Sequence, residues 1–204
     1  MSLVQVYLNK NFIVIGGEQR LTREDGFFNE GLIKVRRITA DAVIGMTGTV
    51  VGNALLFAEI VNLKLESGDL DTKKNFADVE KIVDSNFYEL RKLVIENNEQ
   101  YNIHSVLCGW DGKKLKCKYY CFDINNPDGK IIEVFAESEN DIKVVNCGKE
   151  EHFDKALELG QAKRCQTPED FQKLFCDVIR EGLQFDSTIN DKVTLETMKK
   201  SDFV

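Results

Sequence analysis

No run in the sequence approaches the roughly 20 apolar residues that a helix needs to cross a bilayer. Its opening also lacks the basic region and apolar core of a secretory signal peptide. Both absences lead to the expectation of a cytoplasmic protein with no membrane partner. There is no CxxC pair among the six cysteines, Cys108, Cys117, Cys121, Cys147, Cys165 and Cys176, and the only two histidines, His104 and His152, complete no zinc spacing. In a reducing compartment the cysteines are then expected to be small core residues and the histidines structural, with no cofactor and no metal. No linker, repeat or low-complexity segment divides the chain, and its basic residues are scattered rather than clustered. With a formal net charge of −7, that scatter argues against nucleic acid as the main partner.

The 204 residues suit one domain, 1–204, large enough to bury roughly 70% of its unfolded surface. Strand patterns at Gly31 to Ile38 and Asp41 to Thr47 precede a helical pattern from about Val50 to Leu65. A second helix is predicted from Lys73 to Asn98, with Phe76, Val79, Ile82, Val83, Phe87, Leu90 and Val94 as its apolar stripe. Strands return at His104 to Trp110, Lys116 to Ile124, Ile131 to Phe135 and Val144 to Cys147, with turns at Asp111-Gly112 and around Pro127-Asp128-Gly129. Helices follow near Lys149 to Lys163 and Thr167 to Leu183, the latter opened by a cap, a first-position proline and an acidic first turn. Val193 to Met198 supplies a last strand. Runs of strands and runs of helices in this order fit an α+β layered domain better than a βαβ one.

The first twenty residues read as a hairpin. Val4, Val6 and Leu8 alternate with Gln5, Tyr7 and Asn9, Phe12 to Ile15 form a short apolar run, and Asn9-Lys10-Asn11 is the turn. A turn centred on Lys10 sets Leu8 opposite Phe12, Val6 opposite Val14, Val4 opposite Gly16 and Ser2 opposite Glu18, at roughly 5 Å between Cβ atoms. Ser2 follows the initiator Met, and a small second residue permits removal of that Met. A serine with its own free α-amine, titrating near pH ~7.7–8, is a self-contained nucleophile and base. The plainer alternative is an ordinary Met-Ser start.

Further segments carry a family likeness. FIVIGGEQRLT resembles the second strand of the proteasome β-type family of N-terminal nucleophile (Ntn) hydrolases, with Glu18, Arg20 and Thr22 at the family's spacing. GLIKV resembles the strand carrying its lysine, and IGMTGTVVGN its glycine turn into the first helix. HSVLCGWD and YYCFDINNPDG resemble its central hairpin, and VVNCGKE its glycine-serine-glycine turn before the third helix. The resemblance implies a four-layer αββα sandwich of two antiparallel sheets flanked by helices. It also implies hydrolysis of peptide or unfolded protein substrates, a homo-oligomeric ring and an ATP-driven unfoldase partner.

Carried over by position, Ser2 stands at the family's nucleophile, Glu18 at its aspartate, Lys34 at its lysine and Gly48 at its oxyanion hole. Arg20, Cys147 and Asp186 fall at supporting positions, and Thr22, Met46, Thr47 and Thr49 at pocket positions. The chemistry suits these residue types: an ammonium at Lys34 favours the free amine and alkoxide character at Ser2, Glu18 is its counterion, and Gly48 offers an unobstructed N–H. Taken alone, Lys34 also fits a solvated strand lysine, Glu18 and Arg20 a local ion pair, and Gly48 a strand end. The sequence departs from the family pattern with serine for threonine, glutamate for aspartate, Asn146 and Cys147 in the supporting turn, and Ile189 where a serine is expected. No propeptide is expected, only Met1 having to leave. Two alternatives share the fold: a non-catalytic proteasome-type subunit with an assembly or binding role, and an Ntn amide hydrolase of a small substrate.

Overall fold

The computed structural model describes residues 3–22, 28–49, 75–97, 102–123 and 126–204. Met1, Ser2 and the helix expected from about Val50 to Leu65 lie outside them. Six strands come first: β1 (Val4–Leu8), β2 (Phe12–Glu18), β3 (Arg20–Thr22), β4 (Phe28–Glu30), β5 (Val35–Thr39) and β6 (Ala42–Thr49). Helix α1 (Phe76–Asn97) leads into β7 (Asn102–Trp110), β8 (Leu115–Asp123), β9 (Asn126–Val134) and β10 (Lys143–Cys147). Helices α2 (Glu150–Lys163) and α3 (Pro168–Gly182) then precede β11 (Val193–Lys199). The start of α3 was legible in the sequence for a physical reason. Thr167 accepts the Asp170 N–H, Asp170 accepts the Thr167 N–H, and Pro168 occupies a first-turn position where no N–H is needed.

Two antiparallel sheets form the middle, ordered β10-β1-β2-β11 and β5-β6-β7-β8-β9, with β3 and β4 as a separate pair. Three apolar clusters give the layers. Phe76, Val79, Val83 and Phe87 of α1 pack on Ile44, Ile103, Leu107, Tyr120 and Phe122 of the five-stranded sheet. Between the sheets lie Val4, Val6, Leu8, Ile13 and Ile15 from one side and Val43, Val106, Cys108 and Cys117 from the other. Leu3, Tyr7, Phe12 and Val14 pack against Phe171, Leu174, Phe175 and Val178 of α3. The architecture is therefore the four-layer αββα sandwich.

The sandwich explains why β1 is buried on both faces instead of one. Its polar positions are satisfied beneath the helices: the Tyr7 hydroxyl donates to Gln5 Oε1 (2.7 Å), and Gln5 Nε2 donates to Asn146 Oδ1 (2.8 Å) and the His152 carbonyl (3.0 Å).

Two expected turns differ. The first hairpin pairs Leu8 with Ile13, Val6 with Ile15 and Val4 with Gly17, one residue out of the expected register. Asn9 is the cause: its side-chain oxygen accepts the N–H groups of Asn11 (2.8 Å) and Phe12 (2.9 Å), and its own N–H donates to the Phe12 carbonyl (3.0 Å). This Asx geometry leaves Lys10 and Asn11 as a two-residue loop, so the register places Glu18 opposite Leu3, not Ser2. Likewise Pro127-Asp128-Gly129 is not the turn but a bulge inside β9, between the pairs Cys121 with Lys130 and Asp123 with Asn126. Gly129 takes a positive φ of 67° there, and Arg91 of α1 donates to the Pro127 carbonyl (2.9 Å) and Asp128 (3.0 Å). Among the described residues, no helix is long and apolar enough to cross a membrane.

Candidate active site

At one edge of the inter-sheet layer, where β2 ends, the chain makes a close backbone approach. A Cβ on Gly17 would lie 2.8 Å from Val35, 3.2 Å from Val4 and 3.4 Å from the Lys34 Cβ. Only a glycine lets the segment before β5 lie this tightly on β2. That segment is docked by the Gly31 and Leu32 N–H groups on the Gln19 carbonyl (2.9 and 3.0 Å) and by the Met46 N–H on the Lys34 carbonyl (2.9 Å).

The result is a buried ion pair. Glu18 is 0% exposed and Lys34 4%, and the Lys34 ammonium donates to Glu18 Oε1 and to the Arg20 carbonyl. The same carboxylate accepts the Leu3 N–H on Oε1 (3.3 Å) and the Arg20 N–H on Oε2 (2.5 Å). Burial lowers the Lys34 pKa from its ordinary value, the nearby Arg20 charge adds to this, and Glu18 opposes it. The Arg20 guanidinium donates to the Ser187 carbonyl (2.8 Å).

Gly48 lies in β6 opposite Ile103, so β6 continues beyond the expected strand end at Thr47. Amide directions alternate along an antiparallel strand, so its N–H points to the same edge as that of Met46, which bonds Lys34. Thr47 turns to the inter-sheet side and its hydroxyl donates to the Cys147 carbonyl (3.4 Å), while Met46 packs on the cluster beneath α1. Thr49 closes β6 opposite Asn102, and Thr22 pairs with Phe28.

The residues expected at supporting positions, Cys147 and Asp186, are both buried. Cys147 pairs with Val4 across β10 and β1, is 1% exposed, and has its thiol pushed well above the usual range by burial. Asp186 is also buried. Its Oδ1 accepts the Thr188 N–H (3.0 Å) and hydroxyl (2.6 Å) and pairs with the Lys149 ammonium (3.1 Å); its Oδ2 meets His152 Nε2 (3.0 Å). Burial alone pushes this carboxyl up, but the bonds from His152, Thr188 and Lys149 outweigh it and hold it well below the usual carboxylate range. Ile189 joins the apolar cluster under α3.

No family model and no curated protein sequence matches the chain. Solved structures do. Eukaryotic HslV from Trypanosoma brucei aligns over 97% of this chain and 99% of its own, with a TM-score of 0.58 and 16% identity. Anbu, an ancestral beta-subunit, from Yersinia bercovieri covers 99% of this chain and 83% of its own at a TM-score of 0.70 and 10% identity. A Gly-1 mutant of Anbu from Hyphomicrobium sp. strain MC1 gives a TM-score of 0.68 and 13% identity over 100% and 85%. The fold is proteasome-like. At such identities the likeness is one of fold, and the chemistry of this proteasome-like sandwich must be argued from its own residues.

One cluster escaped the sequence reading. His104 of β7 pairs with Cys121 of β8, and with Asp123 they bring three metal-competent side chains together. Their spacing is cross-strand, so no CxxC or HxxxH pattern reveals it; only the register of the Trp110-Asp111-Gly112 hairpin would have.

Proposed function

We propose that the chain is a proteasome-like Ntn hydrolase that cleaves peptide bonds with Ser2 once Met1 is removed. The observation that carries this reading is the buried Glu18–Lys34 pair tied to the Leu3 amide, which is the nitrogen of the peptide bond to Ser2. Removing two charges from water costs several kcal/mol per ion, and an apolar pair of similar volume is commonly as stable. A buried lysine with a lowered pKa, whose carboxylate partner also holds the Leu3 amide, therefore suits chemistry better than packing.

In this mechanism the Ser2 hydroxyl attacks the scissile carbonyl and its proton passes to the Ser2 amine. The Lys34 ammonium keeps that amine unprotonated beforehand, and Glu18 holds the ammonium in place. The oxyanion forms against the Gly48 N–H, a type of contact worth roughly 3–4 kcal/mol in other hydrolases. The leaving amine takes the proton from the Ser2 ammonium as the carbon–nitrogen bond breaks. Water then attacks the acyl ester by the same route, giving the carboxylic acid and free Ser2. Arg20 supports the site through its carbonyl; of the expected pocket positions, Thr47 faces the inter-sheet side, whereas Met46 packs beneath α1 and is turned away from it. The reading includes a single domain over 1–204, a homo-oligomeric ring, peptide or unfolded protein substrates and an ATP-driven unfoldase partner.

Intact mass and an epoxyketone probe test it together. The active form should be lighter by one methionine and should gain one adduct, while Lys34→Met should remain folded by circular dichroism and lose labelling. Protein confirmed to lack Met1 that takes no adduct would sink the proposal. The sequestering of Asp186 by His152, Lys149 and Thr188, and the buried Cys147 and Ile189, favour a second reading, a non-catalytic subunit that keeps the fold for assembly. Retained Met1 in the native protein supports that one.

A further inference from the structure

On the inter-sheet face of the five-stranded sheet, one strand beyond Thr47, His104 stands opposite Cys121. Side chains on a strand alternate, so Tyr119, Cys121 and Asp123 share that face of β8. The ligand atoms of His104, Cys121 and Asp123 all lie within 4.8 Å of one another, and the Cys121 thiol donates to Asp123 Oδ2 at 3.8 Å. The phenol of Tyr119 is hydrogen-bonded to His104 Nδ1 at 2.5 Å, and the two rings stack with centroids 5.9 Å apart. The other carboxylate oxygen, Asp123 Oδ1, is buried with no hydrogen-bond partner. A buried acceptor left without a donor is destabilising, and a cation would remove that cost.

We propose that His104, Cys121 and Asp123 form a binding site for a zinc-class divalent cation. Tetrahedral zinc with sulfur at about 2.3 Å and nitrogen or oxygen near 2.0–2.1 Å needs ligand atoms roughly 3.3–3.6 Å apart, so small side-chain rotations close the site. Thiolate, imidazole and carboxylate together select a borderline-soft ion over magnesium or calcium. On binding, the Cys121 thiol releases its proton to solvent, and thiolate plus carboxylate neutralise the divalent charge. Tyr119 orients the His104 ring from behind, and the three protein ligands leave one tetrahedral position for water. The site is independent of Ser2, Glu18 and Lys34.

Cobalt(II) titration of the full chain is the test. One equivalent should produce a thiolate-to-cobalt charge-transfer band with tetrahedral d–d absorption, and zinc should displace it. Cys121→Ser should abolish the band, Cys176→Ser should keep it, and Tyr119→Phe should weaken affinity about 10- to 100-fold, as loss of a ligand's hydrogen-bond partner does elsewhere. X-ray absorption of the zinc-loaded wild type needs no variant: one sulfur and nitrogen or oxygen neighbours are expected. A first shell without sulfur, no charge-transfer band, or a band that survives in Cys121→Ser overturns the proposal.

Discussion

Replacing Glu18 with alanine should destabilise the protein by about 3–5 kcal/mol, the usual cost of stranding one partner of a buried ion pair. The site sets the magnitude. Lys34 is 4% exposed, so its ammonium would lose its carboxylate without gaining water. Its escape is to give up the proton. From an ordinary value of ~10.4, neutrality at pH 7 costs about 1.36 kcal/mol for each of roughly 3.4 pH units, so about 4.6 kcal/mol bounds the charge contribution. The Leu3 and Arg20 N–H groups would also lose their acceptor, which keeps the estimate in the upper half of the range. For a chain of this size the corresponding fall in Tm is about 6–20 °C. Urea unfolding and calorimetry at pH 7 measure it. The double variant Glu18→Ala with Lys34→Met has no ammonium to strand and should be more stable than Glu18→Ala alone. A single variant within about 1 kcal/mol of wild type, or a double variant no better than the single, would refute the reasoning.

Three further outcomes are expected. Lys34 has a folded pKa below its unfolded value, so between the two the unfolded chain holds the proton and the folded one does not; stability should rise with pH across the alkaline range, and Lys34→Met should lack that slope in urea midpoints from neutral pH upward. Asp186 has the same sign in the acid range: its folded pKa lies below the unfolded ~3.9, so its stabilisation is present above that value and lost as pH falls, and Asp186→Asn should flatten the acid limb while costing about 1.5–3 kcal/mol at pH 7. Gly16→Ala would place a Cβ 2.5 Å from the Phe175 ring, an overpacking expected to cost about 1–3 kcal/mol in urea unfolding and to be partly relieved by Phe175→Leu.

What was legible in the sequence follows physical range. The stripe of α1 from Phe76 to Phe87 and the capping box of Thr167 and Asp170 are set by residues three or four apart, and both are found where the pattern places them. The register of β1 on β2 depends instead on whether Asn9 bonds to Asn11 and Phe12, a choice the alternation of Val4, Val6 and Leu8 does not contain. For the same reason Pro127-Asp128-Gly129 looked like a turn: its residue types serve a bulge equally well. Lys34 was singled out only by the resemblance, since nothing in GLIKV alone distinguishes it from a solvated lysine, and its burial against Glu18 is a tertiary contact. Its contacts on Glu18 and Arg20 come from segments 16 and 14 residues away. The His104, Cys121 and Asp123 cluster was illegible because its members meet only when β7 and β8 pair.

The corrected register also gives the glutamate a role that a serine-to-carboxylate pairing did not. Glu18 faces Leu3, and its carboxylate receives the Leu3 N–H from the start of β1, the Arg20 N–H from the start of β3 and the Lys34 ammonium from the segment before β5. One side chain therefore joins three stretches of backbone at the sheet edge, and two of its bonds hold main chain rather than the lysine. A carboxylate on a side chain one methylene shorter would sit about 1.5 Å nearer its own backbone. It would then have to give up either the Leu3 amide or the ammonium. The length of the glutamate side chain lets one residue bond both the Lys34 ammonium and the Leu3 peptide nitrogen, which matches it to the way this chain enters its first strand.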